Sequence, residues 1–105
     1  MDFTLELSKE VLNVKVLVIE GINCLNSIQP TGSQWILRLP ELQVAADGDI
    51  DIFAFVEGMP KTRCAMRVTV DDTKPKVFDN NVFNRHGNTF FNVAVPLSKL
   101  EATNA

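Results

Sequence analysis

The sequence predicts an all-β protein: a small antiparallel sandwich, or a partly open barrel, of about six to eight strands. Three observations carry that expectation. Six segments alternate apolar and polar residues with a period of two and are rich in Val, Ile, Phe and Thr. Gly, Pro, Asn and Asp punctuate them at Gly21 and at residues 30–32, 47–48, 58–60 and 80–87. No segment sustains a helical period; single turns are expected at most near residues 8–11 and 97–101. Strands with one oily face must bury it against a second sheet.

The segments can be taken in order. "FTLEL" puts Phe3, Leu5 and Leu7 on one face and Thr4 and Glu6 on the other. "VLNVKVLVI" puts Leu12, Val14, Val16 and Val18 together, opposed by Asn13 and Lys15 but also by Leu17 and Ile19, so its far end is expected to be buried on both sides. "QWILRL" sets Trp35, Leu37 and Leu39 against Ile36 and Arg38 and stops at Pro40. "DIDIFAFV", "TRCAMRVTV" and "TFFNVAV" complete the set. The chain reads as one domain over residues 1–100, with a frayed tail at 101–105.

The fourth and fifth segments flank "EGMPK" and read as a hairpin. Ile50, Ile52, Ala54 and Val56 share a face in one arm; Cys64, Met66, Val68 and Val70 share a face in the other. Even positions must therefore pair with even positions, because a slip of one residue turns one oily face to water. One such register places Asp51 opposite Arg67 and Phe55 opposite Arg63, both favourable cross-strand pairs. The odd face then gathers Asp51, Phe53, Phe55, Arg63 and Arg67. Fully burying one phenylalanine gains roughly 1.5–3 kcal/mol, so these rings need shelter. Arginine stems or another part of the chain would supply it internally; a protein partner would supply it otherwise, since aromatics and arginines together mark interfaces. A homodimer is the simplest such partner, because a two-fold contact uses one patch twice.

Residues 70–88, "VDDTKPKVFDNNVFNRHGN", form a long connection. "KPKVF" suits a short edge strand protected by Pro75, Lys74 and Lys76, with Val77, Phe78, Val82 and Phe83 pinning it down, while "DNN" and "RHGN" are turn chemistry. The alternative is a ligand loop of Asp71, Asp72, Asp79, Asn80, Asn81, Arg85 and His86. Its oxygens, with those of Asp47, Asp49 and Asp51 in "DGDID", are the donor type that calcium takes. That pattern would suit a calcium-assisted carbohydrate-binding module, with a glycan as ligand, by analogy with other sandwiches.

Composition excludes other classes. The formal charge of −3, with scattered Lys and Arg, gives no footprint for nucleic acid or anionic lipid. No apolar run nears the ~20 residues needed to span a bilayer, and "MDFTLELSKE" lacks the features of a signal peptide, so a cytoplasmic location is expected. Cys24 and Cys64 lack metal-ligand spacing and read as small buried hydrophobes. His86 stands alone in a polar turn, and no nucleophile elbow or phosphate cradle is present. The expectation is a non-enzymatic protein-binding or assembly module, self-associating as a dimer, with no cofactor and no metal.

One stretch resembles a known family. "QPTGSQW" looks somewhat like the Pro-Thr-Thr-Gly-x-x-Trp loop of the chagasin-like inhibitors of papain-type proteases, themselves sandwiches of similar length; Pro30, Thr31, Gly32 and Trp35 carry the likeness. It covers seven residues and lacks one threonine, and the family's glycine-rich and Arg-Pro-aromatic loops are absent. Without those loops the stretch reads as a turn built by Pro30 and Gly32 ahead of a strand whose Trp35 enters the core.

Overall fold

A computed structural model describes residues 1–103. It contains β1 (Phe3–Leu7), β2 (Val11–Ile19), β3 (Ile22–Asn23), β4 (Gln29–Thr31), β5 (Gln34–Leu39), β6 (Asp49–Gly58), β7 (Arg63–Val70), β8 (Lys76–Val82) and β9 (Asn88–Pro96), then a 3₁₀ turn at Leu97–Lys99. Two antiparallel sheets pack face to face, ordered β4-β5-β1-β7-β8 and β3-β2-β6-β9. The chain is a β-sandwich. Among the described residues no helix is long and apolar enough to cross a membrane.

Alternation builds the core. Phe3, Leu5 and Leu7 of β1, the even residues Ile50–Val56 of β6, and Cys64, Met66, Val68 and Val70 of β7 are all buried, each beside inward residues of the facing sheet. Trp35 and Leu39 are partly buried around buried Leu37, and the Trp35 indole N–H donates to the Val11 carbonyl at 2.9 Å. The resembling stretch is thus a β4–β5 hairpin turned at Gly32.

Two expectations are corrected. First, β6 and β7 do not pair: β6 lies between β2 and β9, and β7 between β1 and β8. Their even faces meet across the core instead of side by side. Inward parity is the same in either arrangement, so alternation alone cannot distinguish a hairpin from a crossing. Residues 59–62 connect the strands, enough to span the roughly 10 Å between packed sheets at ~3.3 Å per residue. The crossing is held from outside: Gly58 N–H donates to Gly87 O, Lys61 N–H to Phe83 O, and Phe83 N–H to Thr62 O, each at 2.9 Å.

Second, β2 does not alternate throughout. Its register against β6 breaks between Val11 and Asn13 and again between Val14 and Val16. Each break inserts a residue and resets the parity, so Val11, Val14, Leu17 and Ile19 face inward while Leu12, Val16 and Val18 do not.

The long connection contains an edge strand, β8, as its lysines and proline suggest, but the strand begins only at Lys76 and runs on through residues 79–81, expected as a turn, whose extra residue is taken up as a bulge; Phe83 anchors it in the core. Val77 and Val82 stay exposed and do not pin it. Of the tail expected to fray, Glu101 and Thr103 bond the turn after β7: Lys74 N–H donates to Glu101 O, and Thr103 N–H to Asp72 O. Residues 104 and 105 lie outside the described residues.

Candidate functional site: the outer face of the four-stranded sheet

The β2 bulges place Val16 and Val18 on the outer face of the four-stranded sheet. There Val16 stands beside Phe55, which stands beside Phe90; Val18 stands beside Phe53, which stands beside Asn92. Phe53 and Phe90 pack diagonally, ring centroids 6.1 Å apart and planes tilted by 30°, within the range of favourable aromatic pairs. Phe53, Phe55 and Val18 are half-buried by their neighbours, yet Phe90 remains 55% exposed and Val16 38%. The result is an apolar cluster in the middle of a solvent-facing sheet.

Charge sits at its ends. Glu57 accepts from Asn13 Nδ2 at 3.3 Å and pairs with Lys15 at 3.7 Å. At the opposite end, Asp51 lies near Glu20, whose carboxylate accepts the Asp51 N–H at 2.6 Å and the Ala45 N–H at 3.2 Å. Desolvation, then repulsion from Glu20, Asp47 and Asp49, pushes the Asp51 carboxyl above its ordinary value. The middle of the face carries no charged side chain.

The expected partner-binding set is split by the crossing of β6 to β7. Asp51, Phe53 and Phe55 share this face, but Arg63 and Arg67 lie on the outer face of the other sheet. Arg67 stands between Glu6 of β1 and Val77 of β8, and Arg63 beside Val82; neither is paired with Phe55 or Asp51. In place of the arginines the structure supplies Val16, Val18 and Phe90. Phe90 had a signal in the sequence: in an alternating strand, two adjacent phenylalanines such as Phe90 and Phe91 cannot both face inward. Val16 and Val18 had none, because single residues inserted by bulges leave no mark in a period count.

The ligand-loop residues do not converge; they are strung along β8 and its two ends. Asp71 accepts the Asp2 N–H at 2.7 Å, tying the turn to the N-terminus. Asp79 and Asn80 form a bulge opposite the single residue Ala65. Asn81 Nδ2 donates to Thr89 Oγ1 at 3.3 Å and to the Phe90 carbonyl, stapling β8 to β9. At the far end Asn84 Oδ1 caps the turn, accepting the N–H of His86 at 2.9 Å and of Asn88 at 3.1 Å, and Arg85 Nε donates to His86 Nε2 at 3.2 Å. Among the described residues no group of three or more His, Cys, Asp and Glu side chains is arranged to hold a metal ion.

Between the β8 and β9 edges runs a groove of about 460 Å³, lined by Phe78, Asn80, Asn81, Phe90, Asn92 and Val93 among others. A second concavity of about 510 Å³ lies beside the short β3, between Ile22, Cys24, Leu39 and Leu42. Cys24 there is buried, and desolvation pushes its thiol up, so it is not a poised nucleophile. Cys64 is pushed up to about 11 by burial first and by Glu10 second.

The chain matches no protein-family model, no curated protein and no solved structure.

Proposed function

We propose that this protein is a non-catalytic binding and assembly module that self-associates through the outer face of its four-stranded sheet. The observation that carries the reading is the cluster of Val16, Val18, Phe53, Phe55 and Phe90, apolar, contiguous and open to solvent. Contiguous apolar surface of this kind marks interaction sites. A second copy is the partner that fits. A two-fold axis through the cluster, running across the strands, sets ring against ring and brings the acidic end at Asp51 and Glu20 of one copy to the end of the other where Lys15 and Glu57 pair, so the two acidic ends do not face each other.

Area sets the expected strength. Three full-length strands about 30 Å long and ~4.8 Å apart present roughly 450 Å² per copy, about 900 Å² in total. That is just under the ~1,000 Å² expected of a specific interface, so the contact is weak, on the order of micromolar. The non-catalytic part of the reading is supported by thiols that are buried and raised, and by a histidine spent in turn hydrogen bonds with its neighbours.

Light scattering over a concentration series tests it. The mass should rise above the 11.7 kDa of one chain. Phe55→Asp should weaken association by about thirtyfold, the ~2 kcal/mol of an interface hot spot. Phe53→Ser, which adds no charge, should act in the same direction. A folded Phe55→Asp protein that associates as tightly as the parent overturns the reading.

A further inference from the structure

The sandwich has four sheet edges, and three are blunted against further pairing. β3 is two residues long; β4 is three residues long and contains Pro30; β8 follows Pro75, begins at Lys76 and is broken by the bulge at Asp79 and Asn80. These are the devices by which sheets avoid edge-to-edge association. β9 carries none of them. It is nine residues of "NTFFNVAVP", without charge or bulge and with proline only at its last position.

The backbone groups on its free side can be counted. Strand residues point their N–H and C=O alternately to the two sides. Asn84 bonds both backbone groups of Asn88: its N–H donates to Asn88 O, and its side-chain Oδ1 accepts from Asn88 N–H. Asn81 Nδ2 reaches Phe90 O. The even residues of β9 therefore face away from β6. On the other side, Leu97 N–H donates to Gly48 O, continuing the β6 ladder with odd parity. The free side thus offers the N–H groups of Phe90, Asn92 and Ala94 and the carbonyls of Asn92 and Ala94, none with a hydrogen-bond partner among the described residues, and the carbonyl of Pro96, which caps the 3₁₀ turn with one lone pair and keeps the second open.

We infer that the free edge of β9 pairs antiparallel with β9 of a second copy, about a two-fold axis at Val93, joining the two four-stranded sheets into one. In that register Asn92 faces the partner's Ala94, and each exchanges both backbone bonds with the other. Phe90 faces the partner's Pro96. The proline has no N–H to give, and the Phe90 carbonyl opposite it is the one already served by Asn81; the Phe90 N–H meets the Pro96 carbonyl. Every open donor finds an open acceptor, and no group is left over. A two-fold at Asn92 or at Ala94 lacks this match: the first sends a donor to the occupied Phe90 carbonyl, and the second leaves the Asn92 carbonyl facing a proline. With no charge on either strand, nothing repels the pair.

The inference shares with the proposed function only the premise that the chain self-associates; the surface is different. Its test is a mixed crosslink. Asn92 and Ala94 face each other across the axis at the ~5.5 Å Cα separation of a hydrogen-bonded pair, which a disulfide spans, whereas each lies ~7–8 Å from its own copy, which a disulfide does not span. Asn92→Cys and Ala94→Cys proteins, mixed under mild oxidation, should give a covalent dimer, and neither alone should do so; the native thiols are buried and do not compete. Ala94→Pro removes an N–H that points away from β6, so it should leave the fold intact and abolish edge pairing; Ala94→Lys is the second variant. A mixture that yields no covalent dimer overturns the inference, and so does a dimer formed as readily by Asn92→Cys alone. Phe55→Asp lies off the edge, so the mixed crosslink should still form in that background, at a higher protein concentration if the two contacts reinforce each other, and loss of the face contact is read separately.

Discussion

Gly58 and Gly87 close one end of the sandwich, where the chain leaves one sheet for the other. A Cβ on Gly58 would stand 2.5 Å from the Phe83 ring and 2.6 Å from the Glu10 carbonyl. The ring cannot swing aside, because Phe83 is buried and its backbone is bonded to Lys61 and Thr62. Gly87 has φ +77, and its Cβ would stand 2.5 Å from Gly58 O. Gly58→Ala should therefore destabilise by about 1–3 kcal/mol, as overpacked sites do, lowering Tm by roughly 5–15 °C in a calorimetric scan. An unchanged Tm would mean that the crossing is looser than the structure shows. Cys64 sets a pH dependence at the same scale. Burial raises its thiol from an ordinary value near 9 to about 11. Between those values the folded chain keeps a proton that the unfolded chain loses, so rising pH favours unfolding there. Stability should be flat for this group below pH ~9 and fall towards pH ~11; Cys64→Ala should remove that part of the alkaline slope in urea titrations at stepped pH.

At the scale of elements, the structure shows where alternation informs and where it does not. β1, β5, β6 and β7 were legible because their apolar residues recur at every second position, and one buried face leaves a single choice of inward set. The partner of each strand was not legible. The even faces of β6 and β7 are equally buried whether the strands lie side by side or across the core, and the choice falls to bonds from distant segments, Gly87 and Phe83, that a local reading does not see. The same limit split the candidate site. Phe53 and Phe55 were found by parity alone, while Arg63 and Arg67 were attached to them by an assumed pairing and went to the opposite side when it failed. β2 was read as a strand with its true bounds, but its facing was not: two bulges reset its phase, and their effect, the outward turn of Val16 and Val18, supplies two of the five residues of the apolar cluster. β8 was read correctly as an edge from its own protective residues, and the absence of such residues in β9 was equally readable. Edge protection is thus a sequence signal distinct from hydrophobic period, and the sequence of β9 carries it in negative form.

For the whole molecule, the face and the edge are separate isologous surfaces on one chain, and their axes differ. The face contact turns about an axis lying in the plane of the sheet; the edge contact turns about an axis normal to it. Two non-coincident two-folds do not stop at a dimer: they close as a tetramer when the axes meet and otherwise propagate. Edge pairing also joins two apolar clusters in one sheet, so the face available for stacking doubles from roughly 450 to about 900 Å² per unit. Two stacked units then bury about 1,800 Å², within the range of stable complexes. Assembly should therefore be cooperative, with edge pairing strengthening the face contact. Sedimentation velocity at rising concentration should show the parent protein passing beyond the dimer. Phe55→Asp should stop at an edge-paired dimer, Ala94→Pro at a weaker face-paired dimer, and the two together at the monomer. Neither surface uses charge at its centre, so the steps should hold from low salt to 1 M, where the screening length falls to ~3 Å. A parent protein that stops at a dimer and becomes monomeric with either substitution alone would show a single contact spanning both surfaces, and the two-axis arrangement would be wrong.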